Sequence, residues 1–102
     1  MGITPVLQSE SGERLESVED PTNVLHRVLP DGNDPSFQCI KYIDWYGDTV
    51  FNYLQAPQFL AEWQSLESKK GDPEAVRVID GIRRLAERLS QERHVYLKFY
   101  GD

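Results

Sequence analysis

The densest grouping of reactive side chains in this sequence is Asp44-Trp45-Tyr46-Gly47-Asp48. It sets two carboxylates and two aromatic rings on what reads as a tight turn. Paired carboxylates can hold a divalent ion or serve as acid and base, and loops carry function more often than framework segments do. The same residues also suit a turn in which Asp44 or Asp48 caps backbone N–H groups while Trp45 tucks over the edge of the core. A third reading takes Trp45 and Tyr46 as a protein-contact surface. The sequence leaves all three open.

Other groupings carry less chemistry. Asp31-Gly32-Asn33-Asp34 offers closely spaced oxygen ligands, but the twelfth position from Asp31 is Tyr42, where a calcium loop needs a bidentate glutamate. It reads as a polar loop. His26 and His94 are the only histidines, and nothing in the spacing brings them together. Cys39 is the single cysteine, so neither an internal disulfide nor a thiolate zinc site can form, and its apolar surroundings favour a buried, inert thiol. Arg77, Arg83, Arg84 and Arg88 could touch phosphate, but the interleaved Glu74, Asp80, Glu87 and Glu92 favour a salt-bridged solvent face. Phosphate-loop, dinucleotide, zincin, zinc-finger and nucleophile-elbow patterns do not occur. The expectation is a non-enzyme with no cofactor, no resident metal and no catalytic residue.

Charge is placed unevenly. Residues 1–50 hold nine acidic and three basic side chains, whereas residues 51–102 hold eight of each, so the whole net charge of −6 lies in the first half. Phosphate contacts need lysine and arginine, so free DNA or RNA is not an expected partner. A basic protein is better matched, and the alternative is that the acidity serves solubility alone. Aromatic residues make up 11% of the chain. Tyr46, Tyr53, Tyr96 and Tyr100 cannot all fit in a small core beside Trp45, Trp63 and the four phenylalanines, and tyrosine is enriched at interfaces. The expected contact residues are therefore Asp44, Trp45, Tyr46, Asp48, Tyr53, Tyr96 and Tyr100.

The elements that must position these residues follow from pattern. Residues 3–7 read as a strand that Pro5 assigns to a sheet edge or to the neighbourhood of a bulge. Ser9-Glu10-Ser11-Gly12 reads as a turn, and 13–18 as the return strand. Asp20-Pro21-Thr22-Asn23 opens a short helix with its apolar stripe at Val24, Leu25, Val28 and Leu29, stopped by Pro30. Residues 30–36 are dense in turn formers. Residues 37–43 read as a strand, paired through the 44–48 turn with a second strand at 49–53. A helix starting near Pro57 places Phe59, Leu60, Trp63 and Leu66 on one face, with Glu62 and Glu67 on the surface and Gly71 as the stop. Asp72 caps the next helix, which runs to about Ser90 with a buried stripe of Val76, Ile79, Ile82, Leu85, Ala86 and Leu89. Residues 94–100 alternate as a strand, with Val95, Leu97 and Phe99 facing the core. The expected fold is one α+β domain over residues 1–102. It is two-layered: a small, mostly antiparallel sheet of 4–5 strands packs against a C-terminal helical hairpin, with a short N-terminal helix added. Met1 to Leu7 lacks the pattern of a signal peptide and no long apolar run occurs, so a cytoplasmic location is expected.

The segment Phe37 to Asn52, above all Ile43-Asp44-Trp45-Tyr46-Gly47-Asp48-Thr49-Val50-Phe51-Asn52, and the terminal Leu97-Lys98-Phe99-Tyr100-Gly101-Asp102 resemble a family of small, uncharacterised bacterial proteins. The resemblance covers most of the chain. No activity comes with that family, so no catalytic residue is implied. In size and charge the chain is also similar to the immunity proteins that neutralise secreted bacterial toxins, without a shared motif. The expected function is a bacterial protein-interaction module, of immunity or inhibitor type, that binds a basic protein through an acidic, aromatic surface. The alternatives are a small metal-binding protein or enzyme using Asp44 and Asp48, and a non-catalytic subunit of a homo-oligomer such as a homodimer. No membrane partner is expected.

Overall fold

A computed structural model of the chain describes residues 2–101; Met1 and Asp102, the last residue of the 97–102 segment that carries the resemblance, lie outside them. The chain folds as an α+β domain on a four-stranded antiparallel sheet. The strands are β1 (Thr4–Ser9), β2 (Arg14–Ser17), β3 (Asp48–Phe51) and β4 (Val95–Tyr100), in the order β2-β1-β4-β3. The helices are α1 (Val24–Val28), α2 (Ala56–Trp63) and α3 (Pro73–Gln91), so two strands precede the first helix. Among the described residues, no helix is long and apolar enough to cross a membrane.

The alternation of β4 works as its sequence implies. Val95, Leu97 and Phe99 are buried, and Tyr96, Lys98 and Tyr100 are half-buried on the opposite face. Pro5 is not on an edge strand, because β1 pairs with β2 on one side and β4 on the other. Proline is tolerated there because the β1–β2 register starts one residue later, at Val6 opposite Ser17, and the Pro5 carbonyl accepts the Val18 N–H at 3.1 Å. Gly12 closes the β1–β2 turn with a φ of 90°, a conformation that glycine adopts without strain.

Residues 37–43 do not form a strand. Ile40–Tyr42 is a single turn of 3-10 helix, and β3 pairs with β4 instead, with Asp48 opposite Tyr100 and Phe51 opposite Leu97. The cause is Glu62, which the sequence placed on the surface and which is only 6% exposed. Its carboxylate accepts the backbone N–H groups of Gln38 (2.6 Å), Cys39 (2.9 Å) and Ile40 (3.0 Å). The Gln58 amide, one helical turn back on α2, adds a fourth bond at 2.7 Å. In a strand, successive N–H groups point to opposite edges, so three consecutive ones cannot meet one carboxylate. The segment turns instead, and Cys39, Ile40 and Ile43 enter the core.

Helix α2 also ends earlier than its apolar spacing implies. It passes at Gln64 into a 3-10 segment, Gln64–Lys69, within which the Ser65 hydroxyl donates to the Glu62 carbonyl at 2.7 Å and Ser68 to Ser65 at 3.4 Å. Such local bonds compete with the regular helical pattern. Helix α3 starts as expected, with the Asp72 carboxylate accepting the Ala75 N–H at 2.8 Å and Pro73 at its first turn. Its buried stripe is Ala75, Val78, Ile79, Ile82, Leu85, Ala86 and Leu89, and Val76 lies outside it, 39% exposed. Val76 stands three residues before Ile79, but at about 100° per residue it lies roughly 120° around the helix from the centre of the stripe. Gly81 lets α3 approach the β2 side closely, since a methyl group there would sit 3.0 Å from a Val18 methyl.

The core joins helices and sheet. Phe59 stacks on Trp63 at 5.2 Å between ring centroids and meets Phe51 of β3 edge-on at 5.2 Å. Phe99 of β4 lies 6.0 Å from Phe59, and the Trp63 indole N–H donates to the Ile79 carbonyl of α3 at 2.9 Å. Aromatic contacts of this kind add to the area each ring buries.

The Glu62 knot carries a measurable prediction. Burial pushes its carboxyl pKa up, but the Gln58 amide and the backbone N–H groups of Ile40, Gln38 and Cys39 outweigh that and hold it below the ordinary 4.5. A lowered folded-state pKa means that the unfolded chain binds the proton more tightly, so this stabilisation is complete above about pH 5 and is lost as pH falls through the folded value. Urea unfolding at pH 7 is expected to show Glu62→Ala destabilised by about 3 kcal/mol, with Glu62→Gln recovering only part of that because its NH2 group faces backbone donors. The gap between wild type and Glu62→Gln should narrow as the pH is taken below 4. A constant gap from pH 7 to pH 3 would contradict the assignment.

Candidate functional site

The 44–48 loop leaves the core at Ile43 and is pinned at both ends. The Asp44 N–H donates to the Thr49 hydroxyl at 2.9 Å, and that hydroxyl lies 3.4 Å from the Tyr42 carbonyl. Within the loop the Asp44 carboxylate accepts the Tyr46 N–H at 2.8 Å. On the other side the Gly101 N–H donates to the Gly47 carbonyl at 2.8 Å, tying the loop to the end of β4. Gly101 is required at this crossing, because a methyl group there would overlap the backbone N and O of Gly47.

The seven expected contact residues fall into three places. Asp44, Trp45 and Tyr46 are together on the loop. Trp45 is 38% exposed and Tyr46 77%. Trp45 stacks face to face on His26 of α1, with ring centroids 4.6 Å apart and planes 7° from parallel. Nearby, the 3-10 turn leaves Tyr42 61% exposed. The loop lines a cleft of about 390 Å³ together with Pro30, Asp31 and Gly32. Lys41 and Ile43 contribute to it from the preceding turn.

Asp48, Tyr96 and Tyr100 are on the sheet face formed by the other half of the β4 alternation. Asp48 is the register partner of Tyr100, and its carboxylate lies 3.7 Å from the Lys98 ammonium. Lys98 in turn sits 4.5 Å from the centre of the Tyr100 ring. The Gln8 amide donates to the Tyr100 hydroxyl, although the register pairs Gln8 with Tyr96 and Thr4 with Tyr100. That bond therefore spans Val6, which is fully buried on this face without belonging to the main core. The tyrosines here are partly spent on covering the sheet. Tyr53 is apart from both groups, beyond β3, with the Arg93 guanidinium 5.8 Å from its ring centre.

Asp44 and Asp48 are engaged separately, one with its own loop and one with Lys98. Among the described residues no group of three His, Cys, Asp or Glu side chains is placed to hold a metal. In the 30–36 loop, Asp31 accepts the Asn33 N–H and Asp34 the Ser36 N–H, each at 2.9 Å, as turn-forming aspartates do. His94 is exposed, with Nδ1 3.1 Å from Glu10. Cys39 is buried, and burial followed by the nearby Glu62 charge pushes its thiol pKa up, which disfavours the reactive thiolate. Three of the four α3 arginines are paired: Arg77 with Glu74 at 2.8 Å, Arg83 with Asp80 at 3.0 Å, and Arg88 with Glu16 at 2.7 Å and Glu92 at 2.6 Å; Arg84 is exposed and makes no ion pair among the described residues. Sequence reasoning missed His26 as the support of Trp45 and Gly101 as the brace of the loop. Neither has a local signal, since both act across long sequence separations.

No protein-family model, curated protein or solved structure matches the chain.

The brace can be tested. Gly101→Ala forces Tyr46 and Gly47 away from β4, and a cost of about 1–3 kcal/mol is expected in urea unfolding, together with faster hydrogen exchange at the Asp48–Phe51 amides than in wild type. Unchanged exchange there would show that the crossing does not hold the loop.

Proposed function

We propose that the chain is a protein-interaction module, of immunity or inhibitor type, that binds a basic protein through the 42–48 surface. The observation that carries this reading is the exposure of Trp45 and Tyr46 on a loop fixed at both ends by hydrogen bonds, with Tyr42 exposed on the 3-10 turn that leads into it. Large aromatic side chains on rigid backbone give contact area at low entropic cost, and they dominate interface energetics where they occur. The acidic balance of residues 1–50 supplies the electrostatic preference for a basic partner. In this reading the chain is non-catalytic and cytoplasmic, and the loop is carried by a two-layer scaffold in which α2 and α3 form a hairpin behind the sheet. Asp44 and Asp48 have structural partners of their own, which favours contact over metal or acid–base chemistry.

The immobilised protein is expected to retain a basic protein from an extract of its source cells at low salt and to release it as salt is raised. The Trp45→Ala, Tyr46→Ala double variant should retain at least tenfold less of it while still unfolding cooperatively, at a urea midpoint lowered only by the lost Trp45–His26 stack, since neither ring is in the core. Retention of nothing at low salt, or equal retention by the double variant, would count against this surface.

A further inference from the structure

We propose that the cleft between the 44–48 loop and Pro30-Asp31-Gly32 is the receiving site for one arginine side chain of the partner, with its guanidinium between the aromatic rings and two aspartates. The inference rests on the reading of this surface as an interaction surface and adds the chemistry of its occupant. The cleft is about 390 Å³, which admits one long side chain and is too small to seat a helix. Trp45, Tyr46, Asp31 and Asp44 are among its lining residues, and Lys41 also lines it. Buried Ile43 and half-buried Pro30 offer apolar surface for an aliphatic stem.

Charge selects a cation. Residues 29–48 hold four aspartates against one lysine. That lysine, Lys41, has its ammonium 5.2 Å from the centre of the Tyr42 ring. Among the described residues it bridges neither Asp31 nor Asp44, and no other cation does. Asp31 and Asp44 each use an oxygen on a backbone N–H of their own turn, which orients the carboxylates without neutralising them. Trp45 is stacked on His26, so its ring is already fixed before a partner arrives.

Shape selects arginine over lysine. A guanidinium is planar, stacks on indole and phenol rings, and presents several N–H donors to carboxylates at once, whereas an ammonium is a compact and strongly hydrated point charge. A metal ion is less well served, because no grouping of three His, Cys, Asp or Glu ligands exists among the described residues.

The test is an amide and indole NMR titration of the full chain with N-acetyl-arginine amide, with N-acetyl-lysine amide and N-acetyl-citrulline amide as the comparison probes. Citrulline keeps the shape and removes the charge. The expected result is a saturable shift of the Trp45 indole N–H and of the Gly32 and Tyr46 amides with the arginine probe, at least tenfold weaker with lysine and absent with citrulline. The Trp63 indole, bonded to Ile79 inside the core, should stay still and serves as the internal reference. The Asp31→Asn, Asp44→Asn double variant keeps the turn-forming acceptors and should weaken arginine binding about tenfold. Equal shifts from citrulline, equal affinity for lysine, indifference to the double variant, or no saturable shift would each overturn the proposal. If arginine fails while retention of a partner remains sensitive to Trp45→Ala, Tyr46→Ala, the occupant is wrong and the surface stands. If both fail, the interaction reading falls with it.

Discussion

One carboxylate sets the course of the middle of this chain. Glu62 on α2 draws the N–H groups of Gln38, Cys39 and Ile40 to a single point, and the Gln58 amide completes its shell. A charge taken out of water is costly unless its acceptor sites are filled, and charge-assisted bonds are the strong ones. Here the filling comes from backbone groups that would otherwise need strand partners. The knot therefore satisfies two demands together: it accommodates a buried charge and supplies partners for a segment that is not in the sheet. Ile40 and Ile43 then enter the core, and the chain emerges at Asp44 already turned toward β3.

This constraint explains which parts of the fold can be read from sequence. The β4 alternation, the Asp72-Pro73 start of α3 and the turn at Gly12 are local patterns whose physical causes sit within a few residues, and each is found in place. The 37–43 segment has a strand-like composition, but its backbone is claimed by a side chain more than twenty positions away. Propensity describes how a side chain fits a pleated surface, and it says nothing about a distant carboxylate competing for the N–H groups. Glu62 itself looked like a surface residue because a glutamate flanking an apolar helical stripe usually is one. The sheet order has the same origin: β3 joins β4 across most of the C-terminal half, a pairing that no turn signal encodes.

The candidate surface was legible in part for the same reason. Asp44, Trp45 and Tyr46 are adjacent in sequence, and their placement on one loop follows from the turn formers around them. The rest of the expected set was assembled from composition, and composition does not say which face a tyrosine covers. Tyr96 and Tyr100 are on the non-core face of β4 as alternation requires, but the Gln8–Tyr100 bond shows that side chain lying along the sheet over Val6. An amphipathic tyrosine can seal a small sheet that no second layer of apolar side chains covers, and it is then less free to bind elsewhere. The free aromatic area is thus concentrated at Tyr42, Trp45 and Tyr46.

That concentration has a structural logic that returns to the Glu62 knot. An exposed aromatic loop is useful for binding only if ordering it on contact costs little, because each rotamer-rich group immobilised at an interface subtracts from affinity. This loop is ordered in advance from three directions. The knot fixes the chain entering it, the Thr49 hydroxyl and the Gly101 N–H fix its ends, and His26 fixes the Trp45 ring. None of these supports covers the outer parts of Tyr46 or Tyr42. A buried charge in α2 and an exposed ring pair more than fifteen residues away along the chain are thus parts of one arrangement, in which the interior is spent on holding still the surface that the exterior leaves open.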